Sequence, residues 1–146
     1  AADGTINGVG ANVLGNGNIT LSSLEADTIS PDNVNEVYFA DVSDNGAIAV
    51  TIVWGVFSGP PKQRRLVEWD QVYDDYDFNW SLETNGVEGK MDFESIATHE
   101  LGHSFGMGDL YTLSCTEETM YGYAAESEIK KRTLNGGDIL GINKLY

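Results

Sequence analysis

Hydrophobic and polar positions sort this chain into stretches of different kinds. From Ala1 to about Asn35 it is rich in Gly, Asn, Ser and Asp and keeps neither a period of two nor one of 3.6, as between Gly4 and Asn18. That pattern predicts loop and short extended pieces. Glu36–Val42, Ala47–Trp54 and Arg65–Tyr73 are dense in β-branched and aromatic residues and are predicted to be strands. Ser43–Gly46 and Ser58–Pro61 carry turn chemistry between them, so the three are expected in one sheet. Apolar Phe93, Ile96, Ala97, Leu101 and Phe105 then recur at helical spacing behind Asp92, a good N-cap, with Glu94 in the first turn. A helix over Asp92–Phe105 follows, closed by Gly106, which can take the left-handed conformation and reverse the chain. At the C-terminal end Asn135 is the cap of a second helix, Asp138 lies in its first turn, and Leu134 is placed to staple onto Ile139. Ile139, Ile142 and Leu145 are its expected buried stripe.

Length and charge narrow the classes of function. With 146 residues the chain suits one core, so residues 1–146 are read as a single domain, loop-rich over 1–35. Eight Lys+Arg against 23 Asp+Glu leave a net charge of −15, which repels nucleic acid and anionic membrane surfaces. No apolar run approaches the roughly 18 to 20 residues of a spanning helix, and the N-terminus does not read as a signal peptide. The carboxylates could serve solubility, high salt or calcium, and the acidic loop Asp74–Asn79 is a solvated face or a calcium site. The single cysteine, Cys115, excludes an internal disulfide framework and reads best as a buried core thiol. There are two histidines, His99 and His103. Imidazole chemistry is confined to them.

His99-Glu-Leu-Gly-His-Ser-Phe-Gly-Met-Gly-Asp109 gives those histidines a context. Placed i and i+4 on a helix they point the same way and can reach one metal ion near 2 Å. Glu100 beside them can take the proton of a water at the metal. Gly106 turns the chain so that Asp109 returns as a third, anionic ligand, leaving one position open for that water. An open position marks a catalytic rather than a structural zinc site, and the chemistry is amide hydrolysis without a covalent intermediate. Aspartate in the third place lowers the net charge of the site from two positive to one.

These residues resemble the zinc motif of the metzincin peptidases, and Thr119-Met-Tyr-Gly122 resembles their Met-turn, with Met120 as a hydrophobic floor under the metal. Among metzincins the matrixins are most similar. Leu66–Ser81, Met91–His103 and Thr133–Tyr146 contribute softer matches, and the likeness extends over roughly Glu36–Tyr146. It implies an α/β (α+β) sandwich: a twisted, mostly parallel sheet with one antiparallel edge strand, an active-site helix and a C-terminal helix. By position Ile48, Ala49, Val50 and Thr51 are the edge that pairs with an extended peptide, an ordinary interior strand being the alternative. Tyr123, Ala124 and Ala125 are implied to wall the pocket beyond the cut bond, and Tyr121 carries no catalytic role. Asp109 departs from the usual third histidine, as in the snapalysin branch. With two histidines the second, structural zinc site of vertebrate matrixins cannot be built, and no cysteine-switch motif is present. The amphipathic helix that precedes the first strands in the family is missing from residues 1–35, so the chain is expected to begin inside a larger domain.

The leading expectation is a secreted, monomeric zinc endopeptidase acting on peptide or protein, with catalytic zinc, structural calcium in addition, and no nucleic-acid or membrane partner. Two other classes stand beside it: an inactive, metal-loaded peptide-binding module, against which Glu100 argues, and an acidic calcium-dependent extracellular structural domain.

Overall fold

The computed structural model describes residues 23–43 and 46–146. Most of the loop-rich beginning, and Asp44 and Asn45 of the first predicted turn, lie outside the described residues; residues 23–35 form neither helix nor strand. The three β-rich stretches become β1 (Val37–Ala40), β2 (Ala49–Val56) and β3 (Arg65–Asp74), in the order β1-β3-β2. β1 runs parallel to β3, with Val37 opposite Gln71, and β2 runs antiparallel, with Ala49 opposite Tyr73. Short β4 (Trp80–Ser81) and β5 (Met91–Asp92) form a second, parallel pair. Parallel pairing therefore predominates, and β2 is the antiparallel edge, as the resemblance implied.

β3 is flanked on both sides, yet several of its buried residues are charged: Glu68, Asp70 and Asp74. Each holds a loop by its backbone. Asp70 accepts the N–H groups of Asp27 and Glu36, at 2.9 and 3.0 Å, and Glu68 accepts that of Asn33. Asp74 accepts Tyr76 and Asp77 at 2.8 Å and Val42 at 3.2 Å. Charge-assisted bonds of this kind compensate the burial of a carboxylate. The N–H groups of Asp77 and its neighbours hold the Asp74 carboxyl below the usual range.

The next two elements carry the site. α1 (Phe93–Ser104) starts on Asp92, whose carboxylate caps the Ser95 N–H at 2.9 Å and pairs with the Arg132 fork at 2.5 and 2.8 Å. Its Ser104 hydroxyl accepts from Gln71 Nε2 at 3.0 Å, which fastens the far end of the helix to β3. The core between helix and sheet is small. It comprises Tyr73, Met91 and Ile96, with Phe39, Tyr73, Trp80 and Phe93 interlocked at centroid distances of 5.0 to 5.8 Å.

α2 (Gly136–Leu145) begins on Asn135 with a capping box to Asp138, as its sequence predicts. Its stripe is a correction: Ile139 and Leu145 are 46% and 53% exposed, and the helix is anchored instead by buried Asp138. Polar capping holds this helix where apolar packing was expected. Cys115 is a second correction, a half-buried free thiol in a 3₁₀ turn (Leu113–Cys115) rather than a core residue.

Glu36 lies against Asp70, Asp32 and Asp27; burial first, then the hydrogen bond shared with Asp70, pushes its carboxyl from 4.5 up to about 7. A carboxyl that holds its proton more tightly when folded costs stability as it ionises. Metal-free protein is expected to lose stability as the pH rises from 4.5 to about 7, and to level off above. Urea midpoints measured in chelator check this, and Glu36→Gln flattens the slope.

Candidate metal centre and its cleft

α1 places His99 and His103 one turn apart, and the chain leaves the helix through Gly106 at φ 87°. The reversal carries Asp109 back. His99 Nε2 and His103 Nε2 are 3.1 Å apart, and Asp109 Oδ1 is 3.1 Å from the first and 3.4 Å from the second. Both tautomers are committed by the other ring nitrogen. Nδ1–H of His99 donates to the Thr119 carbonyl at 2.7 Å, and Nδ1–H of His103 to the Met107 carbonyl at 2.8 Å. Each Nε2 therefore presents a lone pair to the same point, and a carboxylate oxygen presents a third. Burial, above all, holds the His99 imidazole below its usual pKa and so in the neutral form that ligates.

Three acceptors facing one another at 3.1 to 3.4 Å repel unless a cation lies between them. A tetrahedral zinc ion with bonds of about 2.0–2.1 Å separates its ligand atoms by about 3.3 Å. The donor set fits zinc in type, number and spacing. Asp109 Oδ2 accepts the Tyr111 hydroxyl at 3.1 Å, an outer partner that orients the carboxylate.

Glu100 is 4% exposed, and ligand atoms of His99, Glu100 and His103 lie within 4.8 Å of one another. Burial raises its carboxyl pKa, an effect opposed by the hydrogen bond from the Thr51 hydroxyl at 2.5 Å. Met120 is buried beneath the helix, where Gly102 leaves the space: a Cβ there would overlap Met120 Sδ. Thr119 is the hub of this region. Its N–H donates to Asp138 Oδ2 at 2.8 Å, and its carbonyl receives both His99 Nδ1–H and Lys131 Nζ at 3.0 Å. Leu110 and Tyr121 form a parallel bridge that ties the Asp109 loop to the same turn.

These elements enclose an open cleft of about 950 Å³. Ile48, Ala49, Val50 and Thr51 line it together with His99, Glu100, His103 and Asp109, and so do Tyr121, Gly122, Tyr123 and Ala124. Ala125, named with that wall from the sequence, is not on the lining. In the acidic loop Asp74–Asn79, Asp74 holds its own turn by accepting the N–H groups of Tyr76 and Asp77. Tyr111, Lys131 and Asp138 carry site contacts that the sequence reading did not assign. Tyr111, two residues after Asp109, had a signal in its position; Lys131 had none.

The fold is metzincin-like, a mixed α/β architecture with the helix of the histidine pair packed on an antiparallel edge strand. Residues 60–146 match the family model described as Matrixin, and the chain belongs to the matrixin family of zinc metalloendopeptidases. It is similar to a matrilysin of Rattus norvegicus, with 38% identity over 63 residues, 43% of this chain. The match spans 22% of that relative's length.

Proposed function

We propose that this chain is a secreted zinc-dependent endopeptidase, a single catalytic domain in which His99, His103 and Asp109 hold the metal and Glu100 is the general base. The observation that carries the reading is the convergence of three lone-pair acceptors, two of them imidazoles with committed tautomers, at separations of 3.1 to 3.4 Å. When bound, zinc supplies Lewis acidity that polarises a water molecule and the scissile carbonyl. Glu100 accepts a proton from the attacking water, whose oxygen bonds to the carbonyl carbon. As the C–N bond breaks, the same carboxyl returns the proton to the departing amine. Met120, buried against Gly102, would form an apolar floor to the site.

β2 supplies the docking edge. Asp74 N–H donates to the Ile48 carbonyl across the β2–β3 pair, so even positions of β2 face β3 and Ala49, Thr51 and Val53 turn their N–H and C=O groups outward. An extended peptide can add there as a further strand. Tyr123 and Ala124 wall the side of the cleft beyond the cut bond.

Elemental analysis with casein hydrolysis, with and without chelator, tests the reading. One equivalent of zinc and chelator-sensitive cleavage are expected, and Glu100→Ala should retain zinc while kcat falls by about a thousandfold. Zinc without cleavage in the wild-type chain would favour the binding module. Absence of zinc from protein purified without chelator would remove the site assignment.

Besides the loop Asp74–Asn79, a second group of carboxylates is a candidate for the structural calcium ion. Ligand oxygens of Asp27, Asp32 and Glu68 lie within 4.8 Å of one another, and Glu68, 1% exposed, has its Oε1 without a hydrogen-bond partner, as has Asp27 Oδ2. Hard carboxylate oxygens left unsatisfied suit calcium. At a hundred times its Kd, calcium is expected to add about 2.7 kcal/mol of stability to the wild-type chain, read by calorimetry. Glu68→Gln should abolish the increment, and an equal increment in both would place the ion elsewhere.

A further inference from the structure

Thr51 is the one hydroxyl-bearing side chain in the stretch Ala47–Trp54. On an apolar, β-branched strand a valine would serve packing as well, so the hydroxyl calls for a partner. It has one. Thr51 Oγ1 lies 2.5 Å from Glu100 Oε2, against 3.3 Å from the Glu100 carbonyl oxygen, and its single proton goes to the shorter, charge-assisted bond. Among the described residues no other group donates to that carboxylate. Glutamate has three side-chain torsions, and a general base must meet its proton within hydrogen-bond reach.

We propose that Thr51 is the positioning residue of Glu100: its hydroxyl clamps one carboxylate oxygen so that the other is presented to the cleft. This rests on the peptidase reading above. The same residue turns its backbone N–H and C=O to the edge of β2 that pairs with no strand among the described residues. One residue thus sets both the docked peptide strand and the base that acts on it, which a Thr confined to sheet packing would not do.

The test uses the full chain loaded with zinc. Thr51→Val, which keeps shape and backbone, is expected to lower kcat by about 10- to 100-fold with KM changed less than about twofold and zinc content unchanged. Thr51→Ser, which restores the hydroxyl, should return kcat to within about threefold of wild type. Thr51→Ala guards against a packing fault peculiar to valine and should behave as valine does. An unchanged kcat in the valine and alanine variants, a loss confined to KM, or a serine variant no better than valine would overturn the proposal.

Binding of two peptide ligands gives a readout without turnover. A peptide hydroxamate hands its hydroxyl proton to the base, whereas a peptide thiol meets the metal through sulfur alone. Thr51→Val should weaken the hydroxamate at least about tenfold and the thiol less than about twofold. Equal effects on both, or none, would also overturn it. A wild-type chain that binds zinc and cleaves nothing would refute the peptidase reading, and the ligand pair would still decide the role of Thr51.

Discussion

Replacing Asp138 by alanine is expected to destabilise the protein by about 3–5 kcal/mol, a large part of the roughly 5–15 kcal/mol that holds a domain together. Asp138 is 1% exposed and accepts three backbone N–H groups: Thr119 and Asn135 on Oδ2 at 2.8 Å and Met120 on Oδ1 at 3.0 Å. Alanine leaves the buried donors of Thr119 and Met120 without acceptors and removes the capping box of α2 together with them. Burial alone would raise the Asp138 carboxyl, but the N–H groups of Met120, Asn135 and Thr119 hold it below its usual value of 3.8. A depressed carboxyl contributes its stability above the unfolded value and loses it as the pH falls through the folded one. Wild type should therefore shed this contribution below pH 3.8, and the variant should lack that part of the acid transition. A second effect is expected at the metal, because the Thr119 carbonyl that Asp138 places also orients His99. Outer-sphere losses of this kind weaken metal binding by about 10- to 100-fold. Urea midpoints in chelator and zinc competition assays read the two effects separately. A variant within about 1 kcal/mol of wild type would mean that water replaces the carboxylate.

Asp109→Asn is expected to weaken zinc binding by at least about a hundredfold, beyond what loss of an outer partner costs. The substitution keeps the size of the side chain and removes the charge that faces both Nε2 atoms at 3.1 and 3.4 Å. At zinc a thousand times the wild-type Kd, binding adds about 4 kcal/mol to wild type and, for a hundredfold weaker site, about 1.4 kcal/mol. Thermal unfolding at one fixed zinc concentration checks the difference. An equal zinc increment in both proteins would remove Asp109 from the ligand set. Tyr111→Phe, which takes only the hydroxyl from Asp109 Oδ2, serves as the milder control.

Much of the geometry of the candidate metal centre is legible along the chain because it is local. Glu100 and both histidines share one helix, and Gly106 followed by Asp109 is a short turn from it, so spacing alone predicts their convergence. The strand bounds were read within about two residues, since β-branched density marks a strand. The stripe Ile139, Ile142 and Leu145 misled, because helical periodicity records which face could be buried and not whether a layer exists to cover it. Glu68, Asp70 and Asp74 carried the opposite ambiguity: alternation reads charged strand residues as solvent-facing, and here they are buried under loops whose N–H groups they hold.

By itself, then, the sequence determined the helix that carries His99, Glu100 and His103, the turn that returns Asp109 to them, the three strands, and the cap of the last helix. Each depends on contacts within a few residues, where backbone geometry is nearly independent of the rest of the chain. Tertiary structure alone decided that Thr51 meets Glu100 across 49 residues, and that Asp138 and Lys131 brace the turn that holds His99. Those contacts join segments distant in sequence, and no local pattern encodes which buried donor will find which acceptor once the layers pack.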